Sequence, residues 1–139
     1  MDALRKRNMT MEDSSCVLCG EVDETVEHMF ISCGFTSTIW ALISMWCKIP
    51  SIFAFTIKDL LDLHDHVGGP EWKRAAIQGI IRIGCWCIWR ARNDYKFNNK
   101  EIKVEGIMRD IKALGFFWFN TRYKRNVVRW EDWRSFVIL

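Results

Sequence analysis

Four side chains able to hold a transition metal fall within residues 16–33: Cys16, Cys19, His28 and Cys33. Their spacing is C-x2-C-x8-H-x4-C. Two cysteines separated by two residues can face one ion across a tight turn, and Gly20 directly afterwards suits the backbone reversal this needs. His28 and Cys33 are near enough in sequence to close a tetrahedron. Zinc favours such a set of thiolates and imidazole, and structural zinc sites leave no coordination position open. Three thiolates and a neutral imidazole give the centre one net negative charge and no vacancy for a catalytic water. The expectation is one structural zinc ion bound by Cys16, Cys19, His28 and Cys33. A CxxC pair also occurs in redox proteins, but there it follows a strand and opens a helix in a βαβ unit, and no such pattern surrounds Cys16 and Cys19. The neighbouring acids Glu21, Asp23, Glu24 and Glu27 read as solvated loop residues.

The remaining thiols, Cys47, Cys85 and Cys87, lack ligand spacing and read as small core residues. His64 and His66 flank Asp65 in a polar turn, with no partner ligands evident. No nucleophile–base pair and no phosphate-cradling glycine loop stands out, so the sequence reads as that of a binding module and not an enzyme.

A site of this kind needs elements to hold it. The chain has 139 residues, half of them apolar, including eight Trp and nine Phe. That is enough for one domain with a real core, and most of the rings are expected there. Residues 1–8 read as the tail of a short helix cut off from something upstream. Residues 12–34 are polar and turn-rich and are expected to form a compact loop. Phe35, Ile39, Leu42, Ile43 and Trp46 share one face of a helix that Pro50 ends. Thr56 caps a short helix through Leu60, Leu61 and Leu63, stopped by Gly68-Gly69-Pro70. A long helix runs from about Glu71 to Phe97. Its apolar stripe of Ile77, Ile80, Ile81, Gly84, Ile88 and Trp89 is widened by Ile83 and Trp86, which predicts a central, largely buried element. Asn98-Asn99 is a turn signal. A second amphipathic helix carries Val104, Ile107, Met108, Ile111, Leu114 and Trp118. Trp130 and Trp133 are placed on a short closing turn. The predicted fold is mainly α, a small N-terminal zinc knuckle followed by a bundle of about four helices. Residues 1–50 form the knuckle with its following helix, and residues 51–139 form a helical C-terminal region packed with it as one domain.

Charge is uneven. The net charge is only +3, yet residues 11–33 hold six acids and no Lys or Arg. The basic residues gather at the start of the chain and in its C-terminal half. Candidate phosphate contacts are Arg5, Lys6 and Arg7, then Arg90, Arg92 and Lys96, then Arg122, Lys124 and Arg125, with Tyr95 and Tyr123 as rings on which bases could stack. No signal peptide or membrane span is apparent, so an intracellular location, nuclear or cytoplasmic, is expected.

Two blocks resemble a known family. The run Leu4-Arg5-Lys6-Arg7-Asn8, then Cys16-Val17-Leu18-Cys19-Gly20, Glu24-Thr25-Val26-Glu27-His28-Met29-Phe30, Cys33 and Trp40 is similar to the zinc-binding domain that lies C-terminal to the polymerase in plant-type non-LTR (LINE-like) reverse transcriptases. The family pattern is C-x-x-C-G … E-T-x-x-H-L-F … C … W. Residues 88–97, Ile-Trp-Arg-Ala-Arg-Asn-Asp-Tyr-Lys-Phe, resemble the W-x-x-W-K-x-R-N-x-x-x-F segment that follows it, with Trp86 and Trp89 as the two tryptophans. The resemblance extends from about residue 2 to about residue 135. It implies a retroelement-derived fragment without the polymerase, since no YxDD-type run is present. It further implies accessory binding of single-stranded RNA or DNA, with the reverse transcriptase polymerase domain as another partner and no membrane or small-molecule substrate. The alternative is a zinc-stapled structural or protein-interaction domain that touches no nucleic acid.

Overall fold

The computed structural model describes Cys16, Leu18 and residues 25–123 and 127–137. Among these residues every regular element is helical, as the apolar periodicity predicts, and the Cys/His group lies near the N-terminal end. No described helix is long and apolar enough to cross a membrane.

The first helical turn lies inside the segment expected to be a loop. Residues 26–32 wind into a turn that ends as a π-helix, His28–Ser32. The difference has a local cause. The Thr25 hydroxyl accepts from the His28 N–H at 3.0 Å, and the Thr25 carbonyl accepts from the Met29 N–H at 2.9 Å. Thr25 thereby caps the turn as a threonine before a helix does. Met29, on the inner side of the turn, is buried in the core.

Helix α1, Gly34–Cys47, buries Ile39, Trp40, Ile43 and Trp46 at the expected spacing. It ends before Pro50 is reached. Lys48 turns left-handed (φ 59°), and the Ile49 N–H bonds back to the Ser44 carbonyl at 3.1 Å, closing a Schellman-type cap. Buried Ser44 is satisfied on both sides: its hydroxyl donates to the Trp40 carbonyl and accepts from the Ile52 N–H. Helix α2, Ile57–Leu61, starts as predicted, with the Thr56 hydroxyl accepting from the Asp59 N–H at 3.1 Å while the Asp59 carboxylate accepts from the Phe55 N–H at 3.3 Å. A 3-10 turn, Leu63–His66, holds His64 and His66.

Helix α3, Glu71–Asn98, has 28 residues and is therefore about 42 Å long. Asn99, left-handed at φ 58°, stops it. Helix α4, Val104–Arg122, then folds back along α3. Glycines let neighbouring elements come close. A Cβ at Gly79 would run into the Trp118 ring, one at Gly84 would stand 3.0 Å from the Trp40 ring, and one at Gly115 would stand 3.0 Å from the Trp133 ring. Each indole thus lies against helix backbone where any larger residue would hold it off.

Residues 127–137, unclear from sequence, are tied down by polar contacts. The Asn120 side chain accepts from the Val128 N–H at 2.8 Å and donates to the Val128 carbonyl at 3.1 Å, imitating a backbone partner. Helix α5, Trp130–Ser135, then inserts Trp133, which is 0% exposed. Its indole N–H donates to the Lys112 carbonyl, and its own carbonyl accepts from the Trp46 indole N–H. Rings of Trp46, Phe119 and Phe136 surround it at centroid distances of 5.4, 5.3 and 5.9 Å.

Not all aromatic residues join this core. Trp86 and Trp89, placed on the buried stripe of α3 by the sequence, are exposed, as are Phe53, Phe55, Tyr95, Phe97 and Phe117. Helix α3 is covered where it carries Ala76, Ile77, Gly79, Ile80, Ile81, Gly84, Cys87 and Ile88, while Trp86 and Trp89 reach water.

Replacing Trp133 by Ala should cost about 3–5 kcal/mol in denaturant unfolding, the usual range for deleting a buried ring. Phe117→Ala, at a ring 69% exposed, should lie within about 0.5 kcal/mol of wild type. Equal losses for the two variants would contradict this division of core and surface.

Candidate metal centre

Cys16, His28 and Cys33 converge. One ligand atom from each lies within 4.8 Å of the others, with both sulfurs buried and the imidazole half-buried. The Cys16 and Cys33 sulfurs are 3.9 Å apart. A disulfide would bring them to about 2.05 Å. Two thiolates at about 2.3 Å from one zinc in tetrahedral geometry stand about 3.8 Å apart. The observed spacing is therefore that of two corners of a metal tetrahedron, and the donor set is the one zinc prefers. These residues fit a single structural ion. Cys19, expected as the fourth ligand, lies outside the described residues.

Local hydrogen bonding explains how His28 and Cys33 meet. The Cys33 N–H donates to the His28 carbonyl at 2.7 Å, an i to i+5 bond that widens the turn and returns the chain beneath the imidazole. Cys33 itself is extended (φ −67°, ψ 133°) and its carbonyl accepts from the Ser37 N–H at 2.8 Å, so it also begins α1. Two side chains of α1 reach back to hold the turn. The Thr36 hydroxyl donates to the Met29 carbonyl at 2.6 Å, and the Trp40 indole N–H donates to the Phe30 carbonyl at 2.8 Å. The sequence singled out the ligands. It missed Thr25, Thr36 and Trp40 as the groups that orient them, although Thr25 and Trp40 stand inside the quoted motif.

Cys47, Cys85 and Cys87 do not join this group. Burial pushes the Cys85 thiol up to about 12 and the Cys87 thiol up to about 11. Burial also drives Cys47 far above the ordinary thiol range, against a smaller opposing pull from Lys73 and Lys112. All three stay protonated near neutrality, as the reading of them as core residues implies. His64 turns its Nδ1 to the Leu61 carbonyl at 3.0 Å, and the described residues contain no metal-binding group around it or His66.

Among the described basic candidates, Arg90 and Arg92 lie on different sides of α3. Arg5, Lys6, Arg7, Lys124 and Arg125 lie outside the described residues. Arg90 and Arg92 are about 200° apart around α3. Arg90 faces α4, where it pairs with Asp110 at 3.2 Å and lies 4.4 Å from the Trp86 ring centroid. Arg92 and Lys96 share the other side of the helix; Arg92 donates to the Asn93 side chain at 2.7 Å, and Lys96 stands 5.9 Å from the Phe97 ring. The Tyr123 ring is stacked on Phe119 at 5.0 Å, which occupies one of its faces. Tyr95 is exposed.

Residues 1–40 match a family described as zinc-binding in reverse transcriptase. The matched span holds all four expected ligands and runs through α1 as far as Trp40. It corresponds to a zinc-binding segment and not to a polymerase. No curated protein and no solved structure matches the chain.

In zinc-loaded native protein, Cys47, Cys85 and Cys87 should resist a thiol reagent at pH 8, and added chelator should release only thiols of the N-terminal segment. Rapid modification of residues 85 or 87 in the folded protein, located by peptide mapping, would show that those thiols are not sequestered. Trp40→Phe retains the ring but leaves the Phe30 carbonyl without its donor, which costs about 1–3 kcal/mol. Because that carbonyl belongs to the ligand turn, zinc affinity measured against a chromophoric chelator should fall with stability. Unchanged zinc affinity would mean that Trp40 supports the fold alone.

Proposed function

We propose that this chain is a retroelement-derived, zinc-stapled module that binds single-stranded RNA or DNA as an accessory to a reverse transcriptase, without catalysing a reaction itself. The observation that carries the zinc reading is the convergence of Cys16, His28 and Cys33 at metal-tetrahedron spacing within the span that matches a zinc-binding family. With Cys19 as the fourth ligand the site is closed, and its task is to fold a polar segment that has little apolar surface of its own to bury. A closed tetrahedron of this kind gives a substrate no position on the ion, which supports a binding role over hydrolysis.

Nucleic-acid contact has to come from outside the metal loop, since residues 11–33 carry acids and no Lys or Arg. The basic residues of α3 and α4 supply it, together with Arg5, Lys6 and Arg7. The second reading, a zinc-stapled protein-interaction domain that docks on a polymerase or another partner, is favoured by Phe53 and Phe55. These two rings pack edge to face at 4.9 Å, are largely in solvent, and line the same surface hollow as Phe30 and Trp40.

The two readings separate in one set of measurements. Purified protein should contain one zinc per chain, and Cys33→Ser should lose both the zinc and the folded signal of the N-terminal segment. Zinc-loaded wild type should bind a labelled single strand with an affinity that falls steeply as salt rises, each neutralised phosphate adding about 0.7 to the log–log slope. Zinc-loaded protein with no retention on single-stranded RNA or DNA at low salt would leave the interaction reading in its place.

A further inference from the structure

Helices α3 and α4 leave a groove of about 540 Å³ between them, lined on the α3 side by Gly79, Arg82, Ile83 and Trp86. Its floor is apolar: Ile83, Leu114 and the Trp118 ring, which Gly79 admits against α3. Trp86 and Phe117 stand on its walls, 48% and 69% exposed. Arg82 and Arg122 line it as well, both exposed and neither with an ion-pair partner among the described residues. Among the described residues no carboxylate lines the groove.

We propose that this groove is the single-stranded nucleic-acid site of the module, with bases stacking on Trp86 and Phe117 and with Arg82 and Arg122 neutralising the adjoining phosphates. The inference rests on the nucleic-acid reading above and gives it a location. Charge complementarity selects the occupant. Two arginines beside exposed rings, with no acid in the lining, match a polyanion whose bases present flat faces. Asp110, on α4 one turn before Leu114, is already engaged by Arg90 at 3.2 Å and Arg109 at 3.8 Å. That pairing also prepares the platform. Asp110 holds the Arg90 guanidinium, which lies 4.4 Å from the Trp86 centroid, and Arg90 is not itself a lining residue. The Trp86 ring is thus steadied without the groove being filled. A duplex keeps its bases stacked inside and offers these rings nothing to stack on, so the groove prefers a single strand.

The test is fluorescence anisotropy of the zinc-loaded full chain with a labelled single-stranded oligonucleotide of mixed sequence and with the corresponding duplex. Phe117→Ala and Trp86→Ala should each raise the single-strand Kd by about tenfold or more, the scale of losing one base–aromatic stack, while leaving the salt slope unchanged. Arg82→Ala with Arg122→Ala should flatten that slope by about 1.4. Lys58→Ala with Arg74→Ala removes the same charge elsewhere and should leave the slope as in wild type. Because the Phe117 side chain is mostly in water, its variant should unfold at the wild-type midpoint, which separates lost binding from lost structure. Wild-type binding retained in every groove variant would overturn the groove and leave the nucleic-acid reading standing. No binding by wild type would overturn both. Self-association abolished by Phe117→Ala, with oligonucleotide binding unchanged, would assign the groove to a second copy of the chain and overturn the proposal.

Discussion

The Trp40 indole joins the two parts of this molecule. Its N–H bonds to the Phe30 carbonyl in the turn that presents His28, while its ring rests on α3 at Gly84. Neither contact has much room to adjust. The indole donor has one strong direction, and an indole seated where a Cβ would intrude can lie in few positions. The ligand turn is therefore placed relative to the long helix by a single side chain, with the Thr36 hydroxyl on the Met29 carbonyl as a second tie. The metal tetrahedron closes the outer end of that turn, and the apolar core holds its inner end through Met29.

The same device recurs across the fold. Trp118 lies against Gly79 and Trp133 against Gly115. An indole is the largest side chain and a glycine the smallest, so each pairing fills the space between helices while keeping their axes close. The donors are satisfied where the ring is sealed from water: Trp133 by the Lys112 carbonyl and Trp46 by the Trp133 carbonyl. That pattern seats three of the eight tryptophans, Trp40, Trp118 and Trp133, directly on helix backbone.

The aromatic surplus has a different meaning outside the core. Rings at Trp86, Trp89, Phe117 and the Phe53–Phe55 pair stay in water, although burying any of them would stabilise the protein. Periodicity alone put Trp86 and Trp89 inside, because an apolar stripe shows which side of a helix is greasy and not how much of that side another element covers. Coverage depends on the path of α4, which sets Gly115 near Ile80 and Trp118 against Gly79 while leaving Trp86 at the edge of a groove. The basic candidates divide for a related reason. Arg90, Arg92 and Lys96 are neighbours in sequence, but about 200° of helical rotation separates the first two, and only Arg90 meets α4.

Much was determined by the sequence itself, because it depends on local chemistry. Donor types and their spacing marked Cys16, His28 and Cys33 as metal ligands. Period 3.6 marked the helices, Thr56 and the Asn98-Asn99 pair marked a start and a stop, and the isolated thiols read as core. Tertiary structure decided what depends on long-range contact. It anchored the turn around His28, which Thr25 starts locally, through the burial of Met29 and the bonds from Thr36 and Trp40. It made Asn120 the clamp on Val128, eight residues further along the chain. It also brought Arg82 of α3, which the sequence does not single out, to the same groove as Arg122 of α4, a candidate contact from the sequence. Hydrogen bonds within one turn and the periodicity of a helix are written in neighbouring residues, whereas the pairing of distant surfaces appears only once the chain has packed.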